Sequence, residues 1–466
     1  MEINLPIDVR NIMCELNNNG FEAYIVGGCV RDSLLGVVPK DWDIATNAMP
    51  NEIKEIFSSY YLIPTGEKYG TMTVLLNKVS YEITTYRADG SYGDGRRPNA
   101  VNFSNTIKDD LCRRDFSINA MAYNDEYGII DLFGGQSDLK NKIIKTVGNA
   151  ENRFNENALR IMRAIRFATT LDFDISKEVI NAIFECGDNL KNISMERKNA
   201  EIVKILCAIN KLDKDTYHYP KLRGMIEYII KRIIPEFIGL AQITHNNIWH
   251  YTDVFTHTMD MIFFGYTDDI ELIMTILLHD IGKLKARVFD DKRLTNHYYG
   301  HEIYSVKMAQ EIMHRMRFDN KTIEIVLKLV EAHDFVLQPT RNVAKKLLNK
   351  LGHDLCIKLF AFQLIDKKAH RWGSGEYDKW VCKVSEIKTI WHDILFNNEA
   401  FTIRDLAING YDLINIGFVQ GKILGEILNN CLEYVIDNPD KNNKESLIAF
   451  VVYKYNLVME NNDGVF

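Results

Sequence analysis

The stretch Gly27-Gly28-Cys29-Val30-Arg31-Asp32, followed across a short loop by Asp41-Trp42-Asp43, decides how this chain is read. A glycine pair opens a turn where backbone N–H groups can come close to a phosphate, and Arg31 adds positive charge. Asp41 and Asp43 stand at alternate positions, which on an extended strand places both carboxylates on one side. Two same-side carboxylates at a strand end can hold Mg²⁺ against a nucleoside triphosphate. The expectation is an α/β head, a small mixed sheet with helices, that performs nucleotidyl transfer.

The surroundings suit that head. Tyr24-Ile25-Val26, Thr71–Leu76 and Tyr81–Tyr86 are short and β-rich, and Asn51–Phe57 reads as a helix opened by Pro50. Glu82 sits on the third of these strands. Pairing beside the Asp41-Asp43 strand would complete three carboxylates able to hold two Mg²⁺ ions, one activating an RNA 3′-hydroxyl and one neutralising the leaving pyrophosphate. Residues 88–99, with Gly90, Gly93, Gly95 and Pro98, read as a flexible loop. After about residue 150 the pattern is helical almost throughout; Ala158, Ile161, Ile165 and Ala168 recur at helical spacing with arginines between them.

Composition bounds the rest. At 466 residues the chain is long enough for roughly three or four domains. It begins without a basic and apolar leader, and no uncharged apolar run is long enough to span a bilayer; Lys231 and Arg232 break the stretch around Ile229–Ile234. Eight cysteines without CxxC pairing read as free, mostly buried thiols of a cytoplasmic protein. The net charge of -7 argues against indiscriminate nucleic-acid binding. Arg153, Arg160, Arg163, Arg166, Arg197 and Lys198 still cluster, as a solvated helix face or a local basic track.

The later motifs can carry the same chemistry. Arg113, Arg114 and Asp115 supply charge for triphosphate and sugar contacts, or form a surface ion-pair network. Asn157 and Arg160, three apart on an expected helix, share a face. An acceptor beside a guanidinium can read the Watson–Crick edge of C or A, taking the exocyclic amine while Arg donates to the ring nitrogen. The alternative is an ordinary exposed helical face.

Taken in order, these segments resemble the class II tRNA nucleotidyltransferases, the CCA-adding enzymes, and their relatives the bacterial poly(A) polymerases. Glu82-Ile83-Thr84-Thr85-Tyr86-Arg87 resembles the strand with the third acidic residue, and Asp110–Ala120 the motif joining head to neck. Glu156-Asn157-Ala158-Leu159-Arg160, with Arg163 and Arg166, resembles the base-selecting helix, and Ile193–Arg197 the last neck motif. Asp94-Gly95-Arg96-Arg97-Pro98 resembles the family's flexible loop, which members adding only the two cytidines lack in recognisable form. The resemblance implies addition of CCA to tRNA 3′ ends from CTP and ATP. Poly(A) polymerase is the alternative, or an HD phosphohydrolase with a degenerate head. The implied site is Asp41, Asp43 and Glu82 for Mg²⁺, with Gly28, Arg31, Arg113, Asp115, Asn119, Asn157, Arg160, Arg163 and Arg166 for the nucleotide and Asp94, Arg96 and Arg97 in the loop. One departure matters: Asn157 stands where the family usually has Asp.

A second constellation follows. His279-Asp280 comes after the apolar Ile276-Leu277-Leu278, so a polar pair inside an apolar helix is costly unless it binds something. With His257 and the distant Asp366 it resembles the HD phosphohydrolase motif, and His301 and His333 fall where many HD domains keep further histidines. Imidazole and carboxylate ligands suit Mn, Fe, Co, Ni or Mg. Such a domain could clear a blocked RNA 3′ end. It could equally only hold the tRNA elbow, through basic residues such as Lys345, Lys346, Lys367, Lys368 and Arg371. The expected division is a head at 1–125, a helical neck and body at 126–240, an HD domain at 241–375 and a helical tail at 376–466. The tail resembles the family's C-terminal segment through Asp405–Gly410, with Gln420 where Pro is usual before Gly421.

Overall fold

Alternation of buried and exposed residues builds the sheet of the N-terminal half. In the computed structural model, which describes residues 2–89, 101–243, 252–290, 295–369 and 375–455, Tyr81, Ile83 and Thr85 are buried while Ser80 and Glu82 are exposed. The strands are β1 (Ala23–Val26), β2 (Asp43–Thr46), β3 (Tyr61–Gly66), β4 (Thr71–Leu76) and β5 (Val79–Thr85). A separate two-stranded ribbon joins β6 (Arg87–Asp89) and β7 (Val101–Phe103), and β8 (Met121–Asn124) and β9 (Gly128–Asp131) close the set. The seven-stranded sheet has the order β3-β4-β5-β2-β1-β8-β9. Only β2 and β5 within it run parallel, and their register sets Asp43 opposite Glu82. On these central strands and the neighbouring β4, Ile44, Ile83 and Met72 are fully buried.

Short helices α1 (Ile7–Asn18), α2 (Gly28–Leu34), α3 (Pro50–Ile56), α4 (Ile107–Cys112) and α5 (Gly135–Lys140) connect the strands. Beyond them come α6 (Ala150–Glu156), α7 (Leu159–Leu171), α8 (Lys177–Cys186), α9 (Met195–Ala208) and α10 (Tyr219–Ile233). Asn149 and Ser176 cap α6 and α8, accepting the N–H of Asn152 and Val179. The apolar spacing read from the sequence is the buried face of α7: Ile161, Ile165 and Ala168 are inaccessible, and α7 packs on α9. The chain divides into two compact units. One takes the chain to Ile238 with Tyr266–Ile270 and Arg315–Arg317; the other takes the described residues of Gly239–Gly265, Glu271–His314 and Phe318–Phe466.

The second unit is helical, with a small ribbon of Val288–Asp290 on Thr295–His297. Its longest stretch, Arg341–Ala369, is two helices joined at Gly352, whose φ of +74° suits glycine. Leu347, Leu359, Ile387 and Ile394 form one core with Trp391, and Leu413, Ile427, Leu447 and Val451 a later one. Among the described residues no helix is long and apolar enough to cross a membrane. All eight cysteines are unpaired; four are buried, Cys207 is half-buried, and Cys14, Cys112 and Cys382 are exposed. Burial is thus less general than the sequence suggested.

Candidate functional site

The carboxylates meet at two central strands of the sheet, β2 and β5. Asp43 opens β2 and faces Glu82 across the parallel pair, and Asp41 lines the same cavity of about 1040 Å³. Asp41 precedes the strand, because β2 begins only at Asp43. The expectation of two carboxylates on one strand is corrected to one on the strand and one in the loop feeding it. Burial raises the Asp43 carboxyl above its usual range; the nearby charges of Glu82 and Asp41 add to this, and Arg114 opposes it. Crowded carboxylates of this kind fit a divalent cation.

Behind Gly27 the geometry is tight. Its φ is +82°, and a Cβ there would stand 2.6 Å from Arg114 Nη1. Its N–H already donates to the Met121 carbonyl at 3.1 Å and is not free for a phosphate, while Gly28, the first residue of α2, lines the cavity beside it. Arg31 donates to Asn119 Oδ1 at 2.7 Å, and Asn119 Nδ2 donates to Asp115 Oδ1 at 3.2 Å. Arg163 closes the chain with Nε 2.6 Å from Asp115 Oδ2. Burial alone would raise the Asp115 carboxyl, but Arg163 outweighs it and holds the group below its usual range. Arg31, Arg163 and Arg166 all stand around the Phe167 ring, at 5.2, 5.3 and 4.3 Å from its centroid. Arg166 also pairs with Glu201 at 2.9 Å. These arginines form a cavity wall and not a solvated face.

Arg113 and Arg114 share one anchor. Asp110 is fully buried and accepts two bonds from each guanidinium, at 3.0 and 2.5 Å from Arg113 and 3.2 and 2.9 Å from Arg114. Burial opposes the ionised form, yet Arg114 and Arg113 together keep its carboxyl below the usual range. The clamp turns two flexible cations into fixed ones.

Asn157 and Arg160 both line the cavity, but not from one helix. Asn157 has φ −153° and ψ 100°, in the break between α6 and α7. Its Oδ1 accepts the Leu159 N–H at 3.1 Å, the local competition by which Asn interrupts a helix. Arg160, in the first turn of α7, donates to Glu156 Oε2 at 2.6 Å, to the Arg153 carbonyl at 3.2 Å and to the Arg113 carbonyl at 3.0 Å. These bonds fix its guanidinium at the wall. The loop residues Asp94, Arg96 and Arg97 lie outside the described residues, as does Arg371.

The His/Asp constellation assembles in the second unit, at a cavity of about 450 Å³. His257 comes from Val254–Phe264 and Asp366 from Arg341–Ala369. His279 and Asp280 lie in the turn after Ile270–Leu278 and not within that helix, which corrects the expected placement. Gly282 makes that turn possible: a Cβ there would stand 2.2 Å from the His301 carbonyl and 2.3 Å from Ser305 N. Its N–H donates to Ser305 Oγ at 2.9 Å. His301 opens His301–Arg315, and His333 follows Asn320–Ala332. His257, His279 and Asp366 bring their ligand atoms within 4.8 Å of one another, and so do Asp280, His301 and His333. His279 and Lys283 overcome burial to hold the Asp280 carboxyl well below its usual range. Lys345 is buried and pairs with Glu399 at 3.0 Å, so it is no RNA contact; Lys367 lines the cavity, 3.0 Å from Asp366.

Some residues of both sites escaped the sequence reading. Asp110 and Glu156 lay inside quoted motifs, where a carboxylate beside arginines was the available signal. Phe167 carried none, since an aromatic on an apolar helix face reads as core. Trp380 and Asp334, which line the second cavity, were likewise not singled out, whereas Arg114 and Arg197, both named from the sequence, line the first.

Comparison with known proteins adds a family. Residues 23–145 match the profile described as "Poly A polymerase head domain", residues 172–210 that of a "Probable RNA and SrmB- binding site of polymerase A", and residues 302–451 that of tRNA nucleotidyltransferase domain 2. A protein of Ligilactobacillus salivarius named "CCA-adding enzyme" is 33% identical over 456 residues, covering 96% of each chain. One of Streptococcus suis with the same name is 30% identical over 455 residues, covering 96% of this chain and 97% of its own. Among solved structures, the Bacillus stearothermophilus CCA-adding enzyme in complex with CTP aligns with a TM-score of 0.68 at 25% identity, over 97% of this chain and 98% of that one.

Proposed function

This chain belongs to the family of CCA-adding enzymes, and from that premise we propose that it adds C, C and A to the 3′ end of tRNA from CTP and ATP, without a nucleic-acid template. The observation that carries the reading is the register of β2 on β5, which brings Asp43 opposite Glu82 at the mouth of an arginine-walled cavity. Asp41, Asp43 and Glu82 would hold Mg²⁺, which would supply the charge to activate the RNA 3′-hydroxyl and neutralise the pyrophosphate leaving group. Arg113 and Arg114, immobilised on Asp110, neutralise the triphosphate with little further loss of side-chain freedom. Arg31 and Asn119 orient the sugar end, braced by Asp115 and Arg163. Asn157 and Arg160 face the base: the Asn157 carboxamide stands toward the exocyclic substituent and a guanidinium N–H toward the ring nitrogen.

Asp43→Asn keeps the shape and removes the charge. The expected result is a loss of nucleotide incorporation of about 10³-fold or more, for CTP and ATP alike, with CTP still binding. Incorporation within tenfold of the wild type would remove Asp43 from the reaction.

The His/Asp cluster favours a second activity on the same chain. We propose that the second unit hydrolyses a phosphate from RNA 3′ ends. His257, His279 and Asp366 would hold a divalent metal there, which would supply a nucleophilic water at neutral pH. The balance needs water alone: its oxygen bonds to phosphorus, the bond from phosphorus to the ribose oxygen breaks, and that oxygen takes the proton. Lys283 and Lys367 line the cavity where the phosphate charge would lie. Phosphate release from a 3′-phosphorylated RNA is expected to survive Asp43→Asn and to vanish in His279→Gln; release unaffected by His279→Gln would refute this assignment.

A further inference from the structure

Phe167 stands among three cations at the wall of the first cavity. It belongs to α7, is 8% exposed and lines the cavity together with Arg31, Arg163 and Arg166. The three guanidinium carbons lie 5.2, 5.3 and 4.3 Å from the centroid of its ring. All are inside the ~6 Å over which an aromatic face attracts a cation. Phe116, itself inaccessible, meets the ring at 5.7 Å between centroids and 78° between planes, which fixes its tilt.

The arginines do not share a carboxylate. Arg31 pairs with Asp32 at 2.7 Å on its own helix α2, Arg163 with Asp115 at 2.6 Å beyond α4, and Arg166 with Glu201 at 2.9 Å on α9. They also repel one another. Burial pushes the Arg166 guanidinium below its usual value; Glu201 opposes this, while Arg163 and Arg31 add to it. What touches all three is the ring. A carboxylate takes up guanidinium N–H groups, whereas a ring attracts the charge and leaves those donors for a ligand. The contacts also join two elements of the site. Arg163 and Arg166 share α7 with Phe167, and α7 carries Arg160 at its start, while Arg31 comes from α2, which opens at Gly28.

We propose that Phe167 is a positioning residue for the incoming nucleotide: its ring gathers Arg31, Arg163 and Arg166 into one fixed cationic face and ties α2 to α7 across the cavity. It acts through the arginines and not on the base. The sugar and phosphates are common to CTP and ATP, so the ring sets the affinity for both and leaves the choice of base to Asn157 and Arg160. The inference rests on the nucleotidyl-transfer reading for the identity of the ligand; the arrangement of ring and arginines stands apart from it.

Phe167→Leu removes the ring and keeps most of the apolar bulk. Single-nucleotide incorporation is measured with CTP on tRNA lacking its CCA end and with ATP on tRNA ending in CC. The expected result is a KM raised about tenfold for both nucleotides, with kcat within twofold of the wild type and the preference for CTP over UTP unchanged. Phe167→Tyr, which keeps the ring, is expected to hold both KM values within threefold. Circular dichroism and thermal unfolding confirm that the variants fold. Arg31→Gln, alone and with Phe167→Leu, closes a double-mutant cycle. The combined loss is expected to fall short of the product of the single losses by threefold or more. A KM within twofold of the wild type in Phe167→Leu, or losses that simply multiply, overturns the proposal and leaves the ring as packing. A wild-type chain that extends no tRNA refutes the nucleotidyl-transfer reading instead. Equilibrium dialysis with CTP and Mg²⁺ then decides on the ring, by the same tenfold loss of affinity or its absence.

Discussion

At Asn157 a single atom separates two specificities. Its Oδ1 is occupied by the Leu159 N–H, so the other arm of the amide, an NH₂ donor, is the one left to turn toward the cavity. An Asp at this position would keep one oxygen on that N–H and offer the second to the exocyclic amine of C or A. The Asn donor instead matches the O4 of U. The expected outcome is that Asn157→Asp raises the preference for CTP over UTP about tenfold, within the ~1–3 kcal/mol of one good base-edge pair. Single-nucleotide incorporation on tRNA lacking its CCA end, compared as kcat/KM for CTP and UTP, measures it; an unchanged ratio contradicts the assignment. Arg160 is the fixed half of the pair, held by Glu156 and two carbonyls, so the difference is carried by residue 157 alone.

Among elements, legibility tracked the range of the interaction. The strand Thr71–Leu76 and the helix after Pro50 were legible because alternation and a Pro start are local signals. The pairing of Asp43 with Glu82 was legible only as a condition, since a parallel register between strands about 40 residues apart leaves no local mark. The break at Asn157 was hidden, because Glu156 to Arg160 has helical spacing and one side-chain bond to the backbone overrides it. His279-Asp280 looked helical for the same reason: the apolar run before it ends without a Pro, and only the close approach of Gly282 to Ser305 fixes the turn. Lys345 looked like an exposed base. Its partner Glu399 is far along the chain, where it also accepts from Arg341 at 2.9 Å. Those partners hold the Glu399 carboxyl at about 2, bonding to Arg341 being the largest cause. A carboxyl depressed on folding stabilises above its unfolded value of ~4.3 and loses that contribution as pH falls toward its folded value. Glu399→Gln leaves the Lys345 ammonium buried without its charge partner. A destabilisation of about 3 kcal/mol at neutral pH is expected. Thermal unfolding of both forms should show the gap narrowing as pH falls from about 4 toward 2. A gap that stays constant over that range contradicts the ion-pair account.

For the whole molecule, two compact units each carry a constellation of polar groups around a cavity. The acidic balance of -7 conceals the first of them, since the arginines concentrate on one wall, braced there by Asp110, Asp115, Glu156 and Glu201. Net charge therefore said little about partners, while the order of motifs said much. The sequence division at 240 falls beside the boundary between Ile238 and Gly239, whereas the sheet continues past 125 to Asp131 and the core of Leu347 and Leu359 continues past 375 to Ile394. The central claim is chemical, and one experiment reaches it directly. The purified chain with Mg²⁺ is given a tRNA transcript lacking its CCA end, with CTP and ATP singly and together, and the products are sequenced. The account predicts two cytidines from CTP alone and a single terminal adenosine added to them when ATP is present. A long adenosine tail from ATP alone, or no extension at all, would contradict it.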